Sequence, residues 1–262
     1  MEFSLALQQT RQHFRHLGLT VPSALDKEMA EADKILERMS SQRYDAGALA
    51  GLVWDALVAG RDPVADKNVA AQLNRDLLWK QNLGPQLQGR AEQMRGDVFR
   101  RHGPAILAAM FDVVTAADKT LATAYAKIPS LNVVDPSTVT QVPAASATTW
   151  ALAREATAHL DRVLQVWLQV VTACRLAPPP AGDGRSGSNT ALIFADLDAQ
   201  ELDALTPVTN TGGLGSPWTV ALAHSGHRLD YAADPAVFIE RTRNVERQRA
   251  EAVRERAEAS RK

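Results

Sequence analysis

Two histidine pairs are the first residues to ask about. His13 and His16, and His224 and His227, each stand three positions apart. On a helix that spacing sets two imidazoles on one face, a pattern that metal sites use. Zinc takes three or four ligands, and no carboxylate lies one turn from His13 or His16. Asp230 follows His227, and the apolar run LIFA ends in a D-x-D pair, Asp196 and Asp198. Carboxylates at a strand end can hold a divalent ion. His224, His227, Asp196 and Asp198 are therefore the candidate ligands of a metal-dependent enzyme or metal-binding protein. The plainer alternatives are surface or bundle-edge histidines, and an Asp198 that caps the helix AQELDAL. A phosphatase-type loop would continue with Asp-x-Thr or Asp-x-Val, where Ala199 and Gln200 stand.

Other chemistry-bearing residues are fewer. Thr211-Gly212-Gly213-Leu214-Gly215 is glycine-rich like a phosphate loop, but such a loop needs a strand before it and a helix after it. Here Pro207 precedes it, and Ser216-Pro217 with a strand-like run follows, so a flexible loop is the better account. Neither G-x-x-x-x-G-K-S/T nor G-x-S-x-G occurs. Cys174, the single cysteine, lies in an apolar stripe and reads as a core residue. It excludes an intrachain disulfide and a cysteine-based zinc site. Arg90, Arg95, Arg100 and Arg101 could meet an anion or nucleic acid. Glu92 and Asp97 are interleaved with them, which favours a solvated or salt-bridged face. No cofactor is implied.

The elements that must position these residues read as mainly helical. Residues 3–17 repeat Phe3, Leu7, Phe14 and Leu17, and Gly18 ends the run. Ser23 caps a helix with Leu25, Met29, Ala32, Leu36 and Met39 at 3–4 spacing. A third helix, from about Asp45 to Ala59, turns Leu49, Leu52, Val53, Ala56 and Leu57 inward, with Gly60 as its stop. Asp62-Pro63 starts a fourth, carrying Val69, Leu73 and Leu77 and ending near Gly84-Pro85. The Arg-rich 86–102 is helical but weakened by Gly89, Gly96 and Gly103. A long helix is expected from Pro104 to Ile128, and another from Ser146 to Ala177. The latter repeats Ala153, Ala156, Leu160, Val163, Trp167, Val170 and Cys174, broad enough for a bundle helix. Between them, 129–146 reads as a long crossing loop or extended arm.

Residues 178–189 combine Pro, Gly and Ser and read as a flexible linker closing a bundle domain over 1–177. In 190–233, TALIFADLD suggests a strand, AQELDALT a short helix, and PWTVALAH turning into HRLDYA a small hairpin. Asp234-Pro235 then opens a charged C-terminal helix over 234–262. The expected fold is thus a multi-helix bundle with a long inter-helix arm, a small α/β or β-hairpin module and a protruding last helix.

Composition restricts the job. Aromatic content is 5%, net charge −1 and hydrophobic content 45%, which is ordinary for a packed core and not basic enough for a nucleic-acid binder. Over 238–262, eight basic side chains against five acidic ones leave +3, and the interspersed glutamates repel phosphate. Only one position per heptad is apolar there, too few for a self-sufficient zipper. That helix needs cover, so Phe238, Ile239, Val245, Arg249, Val253 and Arg256 are the expected interaction residues. No run approaches a ~20-residue membrane span, and Glu2 and a short apolar run argue against a signal peptide. A cytoplasmic protein, or one built into an assembly formed in the cytoplasm, is expected. The sequence favours a non-enzymatic helical assembly protein that binds itself or other protein subunits. By analogy of shape this includes structural or scaffolding components of bacteriophage-type or other large bacterial assemblies. The alternatives are the metal protein above and a nucleic-acid-associated regulator using Arg90–Arg101.

Overall fold

A computed structural model describes residues 3–40, 47–80, 83–128, 131–135, 144–177 and 186–260. The fold is mainly α, and no strand occurs among the described residues. Contacts group the chain into two compact units: Ser23–Phe99, and Phe3–Pro22 with the residues from Arg100 onward. Composition sets a boundary at 178–189 instead. Residues 178–185 lie outside the described residues, and 186–189 open a 3₁₀ helix.

The unit Ser23–Phe99 contains α2 (Ser23–Ser40), α3 (Ala48–Val58), α4 (Lys67–Lys80) and most of α5 (Leu83–Ala108). In α2, Leu25, Met29 and Ala32 are buried at the expected 3–4 spacing. Helix α3 packs against α4. It stops where expected: Gly60 takes φ +67°, and the Arg61 amide donates to the Ala56 carbonyl at 2.8 Å, closing a Schellman cap. The start of α4 is a correction. Asp62 caps only a single turn, its carboxylate accepting the Val64 amide at 2.9 Å. Asp66 then accepts the Asn68 amide at 2.8 Å, and the helix begins at Lys67.

The second unit is built around α7 (Ala144–Cys174), a 31-residue helix. Its face from Ala153 through Leu160, Val163, Trp167 and Val170 to Cys174 is buried. Helices α1 (Phe3–His16) and α6 (Phe111–Lys127) pack along it. Gly18 ends α1 at φ +69°, with the Leu19 amide donating to the Phe14 carbonyl. The helix expected from Pro104 to Ile128 is two. Pro104 sits inside α5, which runs on to Ala108, and the chain turns at Ala109-Met110 before α6.

Most of the crossing loop or arm expected over 129–146, residues 129–130 and 136–143, lies outside the described residues, and 144–146 belong to α7. The described piece 131–135 is held down. Leu131 and Val133 are buried, Trp150 Nε1 donates to the Asn132 carbonyl at 2.7 Å, and Arg154 donates to the Val133 carbonyl at 3.0 Å.

The hairpin module is overturned as well. TALIFADLD lies in a 3₁₀ helix, Ser186–Ile193, and a buried irregular stretch; α8 (Ala199–Ala204) follows; and PWTVALAHS is the helix α9 (Pro217–Ser225). The alternation of Trp218, Val220 and Leu222 misleads because Thr219 through Ala223 are all buried, so no polar face marks the period. Local chemistry decides for a helix. Ser216 accepts the Trp218 amide, Pro217 occupies the first turn, and Gly226 closes the end at φ +72°. HRLDYA runs without strand pairing, although the Asp230 and Ala232 amides donate to the Phe194 and Ile193 carbonyls. Last comes α10 (Pro235–Ala259), capped by Asp234 as its sequence indicates.

Candidate interaction surfaces

The candidate metal ligands do not converge. His224 lies in the last turn of α9, whereas His227 lies beyond its glycine stop. The His224 Nε2 lone pair accepts the Val133 amide at 3.0 Å, so its proton sits on Nδ1, and burial lowers its pKa from 6.5. Asp196 turns toward Arg241, with its carboxylate 3.8 Å from Nε, while Asp198 faces the other way into a capping box with Glu201. Asp230 is bound to Arg241 at 2.5 Å. His13 is half-buried on α1 and His16 exposed; burial lowers the His13 pKa, and nearby Asp161 opposes this. Among the described residues no three His, Cys, Asp or Glu side chains are grouped to hold a metal ion.

The glycine-rich loop holds an anion, but it is the chain's own. The Ser216 amide donates to the Asp161 carboxylate at 2.7 Å, and Gly215, at φ +103°, lies so close that a Cβ there would stand 2.0 Å from the carboxyl carbon. The neighbouring Gly212 carbonyl accepts Arg154 at 2.9 Å. This arrangement depends on α7, over fifty residues upstream, and nothing local to the loop announces it.

Cys174 is a packing residue, its thiol pushed up to about 11 by burial against a smaller opposing pull from Arg100. Gly103 meets it so closely that a Cβ there would be 2.9 Å from the sulfur. Within the Arg-rich segment, Arg95 is bound by Asp33 and by Glu92 at 2.7 Å.

The expected interaction residues on α10 separate into two groups. Phe238 and Val245 are taken up by the chain's own core, Phe238 standing edge-on to Trp167 with centroids 4.9 Å apart. Between them Arg241 is buried and donates to the Leu192 and Asp230 carbonyls. Arg249 pairs with Asp203 on α8, and Gln248 accepts the Ala199 amide at 2.8 Å. Ile239 lines an open groove of about 1070 Å³ whose walls mix Asp196, Glu240, Arg243 and Arg247. Val253 and Arg256 lie in the stretch 251–260, which is exposed on every side.

The largest mismatch between sequence type and surroundings lies elsewhere, on α3 and α4. In α3, ALAGLVWDALV, the face Leu49, Leu52, Val53 and Ala56 is buried or half-buried. The opposite face is also apolar and lies in water: Trp54 is 68% exposed, Leu57 56% and Val58 71%. Helix α4 is inverted in part, for Val69 is buried as its sequence suggests but the next two apolar positions are not. Leu73 and Leu77 are 45% and 47% exposed, while Gln72 and Asp76 are only 8% and 5% exposed, Gln72 donating to Asp76 at 3.1 Å. The signal was present in the sequence: Asp55 is the only charged residue in α3, and a helix apolar all round demands cover on both sides. Comparison of the chain with protein-family models, with curated proteins and with solved structures returned no match.

Proposed function

We propose that this chain is a non-enzymatic helical assembly protein, working by docking its apolar helix surface onto protein subunits. One observation carries the reading: the unit Ser23–Phe99 turns large apolar side chains outward on α3 and α4 while burying a Gln–Asp pair. Trp54, Leu57, Val58, Leu73 and Leu77 leave roughly 500 Å² of apolar surface in water, a size at which a patch marks an interaction site. At ~25 cal/mol per Å² its burial is worth about 12 kcal/mol gross, comparable to the cost of association.

The native mass of the chain tests this. In a gentle lysate of the cells that make it, the chain should elute well above its 28.4 kDa. Elution as a single 28.4 kDa species, both in lysate and when purified at high concentration, would sink the assembly reading.

A further inference from the structure

We infer that α3 and α4 form a self-complementary docking face whose occupant is the same face of a second copy. The inference rests on the assembly reading and names its surface and partner. Three observations select a second copy. The first is shape: α3 and α4 already pack on each other, so two such pairs joined about a two-fold axis make a four-helix arrangement. In it, the outer faces of both α3 helices become interior, which is what their composition asks for.

The second is area. A standard interface buries about 800 Å² per partner, of which about 65% is apolar in homodimers, or roughly 520 Å². The exposed apolar surface on α3 and α4 is of that size, roughly 500 Å². A much smaller patch would leave a dimer marginal.

The third is charge. Residues 47–80 carry Asp55, Asp62, Asp66 and Asp76 against Arg61, Lys67, Arg75 and Lys80. The net charge of this segment is zero, and although Asp76 is buried no large surplus of either sign is left, so two identical copies meet with little repulsion; Asp55 and Arg75 are exposed and of opposite sign. A face made for a strongly basic or acidic partner would carry a surplus of the opposite sign.

The test uses the full chain. Sedimentation from about 1 to 100 µM should show a mass rising toward twice 28.4 kDa. The emission of Trp54, isolated as the difference from Trp54→Phe, should shift to the blue over the same range. Leu57→Glu with Val58→Glu changes side chains that are already more than half exposed, so the monomer should keep its helical circular dichroism. Its dissociation constant should rise at least about 100-fold. Val253→Glu, on the exposed end of α10, should leave the mass curve unchanged. A wild-type chain that stays at 28.4 kDa across the range overturns the inference, and if Trp54 is then blue-shifted the cover is internal. A dimer indifferent to the double glutamate variant overturns it too. In either case a large species in lysate leaves the assembly reading standing, so the two failures are distinguishable.

Discussion

Asp161 does in this chain what a bound phosphate does in a nucleotide-binding loop: it accepts an amide, that of Ser216, at the end of a glycine-rich turn. The fit leaves no room for a side chain at Gly215. Gly215→Ala both strains a positive φ and drives a methyl into the carboxylate, and should cost at least about 2–4 kcal/mol, read as a shift of the urea midpoint. His224 sets a second residue-scale expectation. Burial lowers the folded pKa of His224, and of His13 and His159, from 6.5. Between the lowered value and 6.5 the unfolded chain binds more protons than the folded one. Stability from these groups is therefore full above about pH 6.5 and falls as pH drops toward the folded values. His224→Gln, whose amide oxygen can still accept the Val133 amide, should flatten the slope of stability between pH 7 and 5 in denaturant titrations. Capping by Asp198 and Asp234 was legible in the sequence, because a cap involves residues two or three apart. Arg241 was not: its partners Leu192, Asp196 and Asp230 are 11 to 49 positions away, and the one polar residue on an otherwise apolar face looks like solvent exposure until the fold closes.

At the scale of elements, legibility follows the kind of signal. Helices with a polar face and a clear boundary residue, such as α1 with its Gly18 stop and α2 with its Ser23 start, were readable in type and approximate span. The turn at Ala109-Met110 carries neither glycine nor proline, so the two helices it separates read as one. For α9 the alternation of a fully buried run competed with a Ser-Pro start, and the start was the truer signal. In α10 the first half is fixed by Phe238, Arg241 and Val245, and Gln248 and Arg249 make its last described contacts with α8. Beyond Ala250 every described side chain is exposed. A chain ended at Ala250 should melt within about 2 °C of the full chain, since surface changes away from packed contacts move stability by no more than about 0.5 kcal/mol. Amides of 251–260 should lose their hydrogen-exchange protection first.

For the whole molecule, composition conveyed the class, mainly α, and missed where the unsatisfied surface lies. The charged last helix lacks cover in sequence, yet half of that need is met by its own chain. The apolar α3 reads as an ordinary core helix, because a run apolar all round does not show which face the chain itself leaves open. The partly inverted α4 hid the other half, since Leu73 and Leu77 look like core positions in sequence and a buried Gln–Asp pair looks like surface. Which face of such a helix turns inward is decided by its neighbours, and those are set by chain distant in sequence. The neutral, apolar character of the α3–α4 face has a thermal consequence. Attraction between such faces is driven by release of water, so near 25 °C it is almost wholly entropic and weakens on cooling. With little net charge to screen, it should respond little to sodium chloride between about 50 and 300 mM, within which exposed ion pairs fade. If copies dock through this face as proposed, dissociation constants measured at 4 and 25 °C and at both salt levels should rise in the cold and hold nearly steady in salt, so that the dimer comes apart on ice.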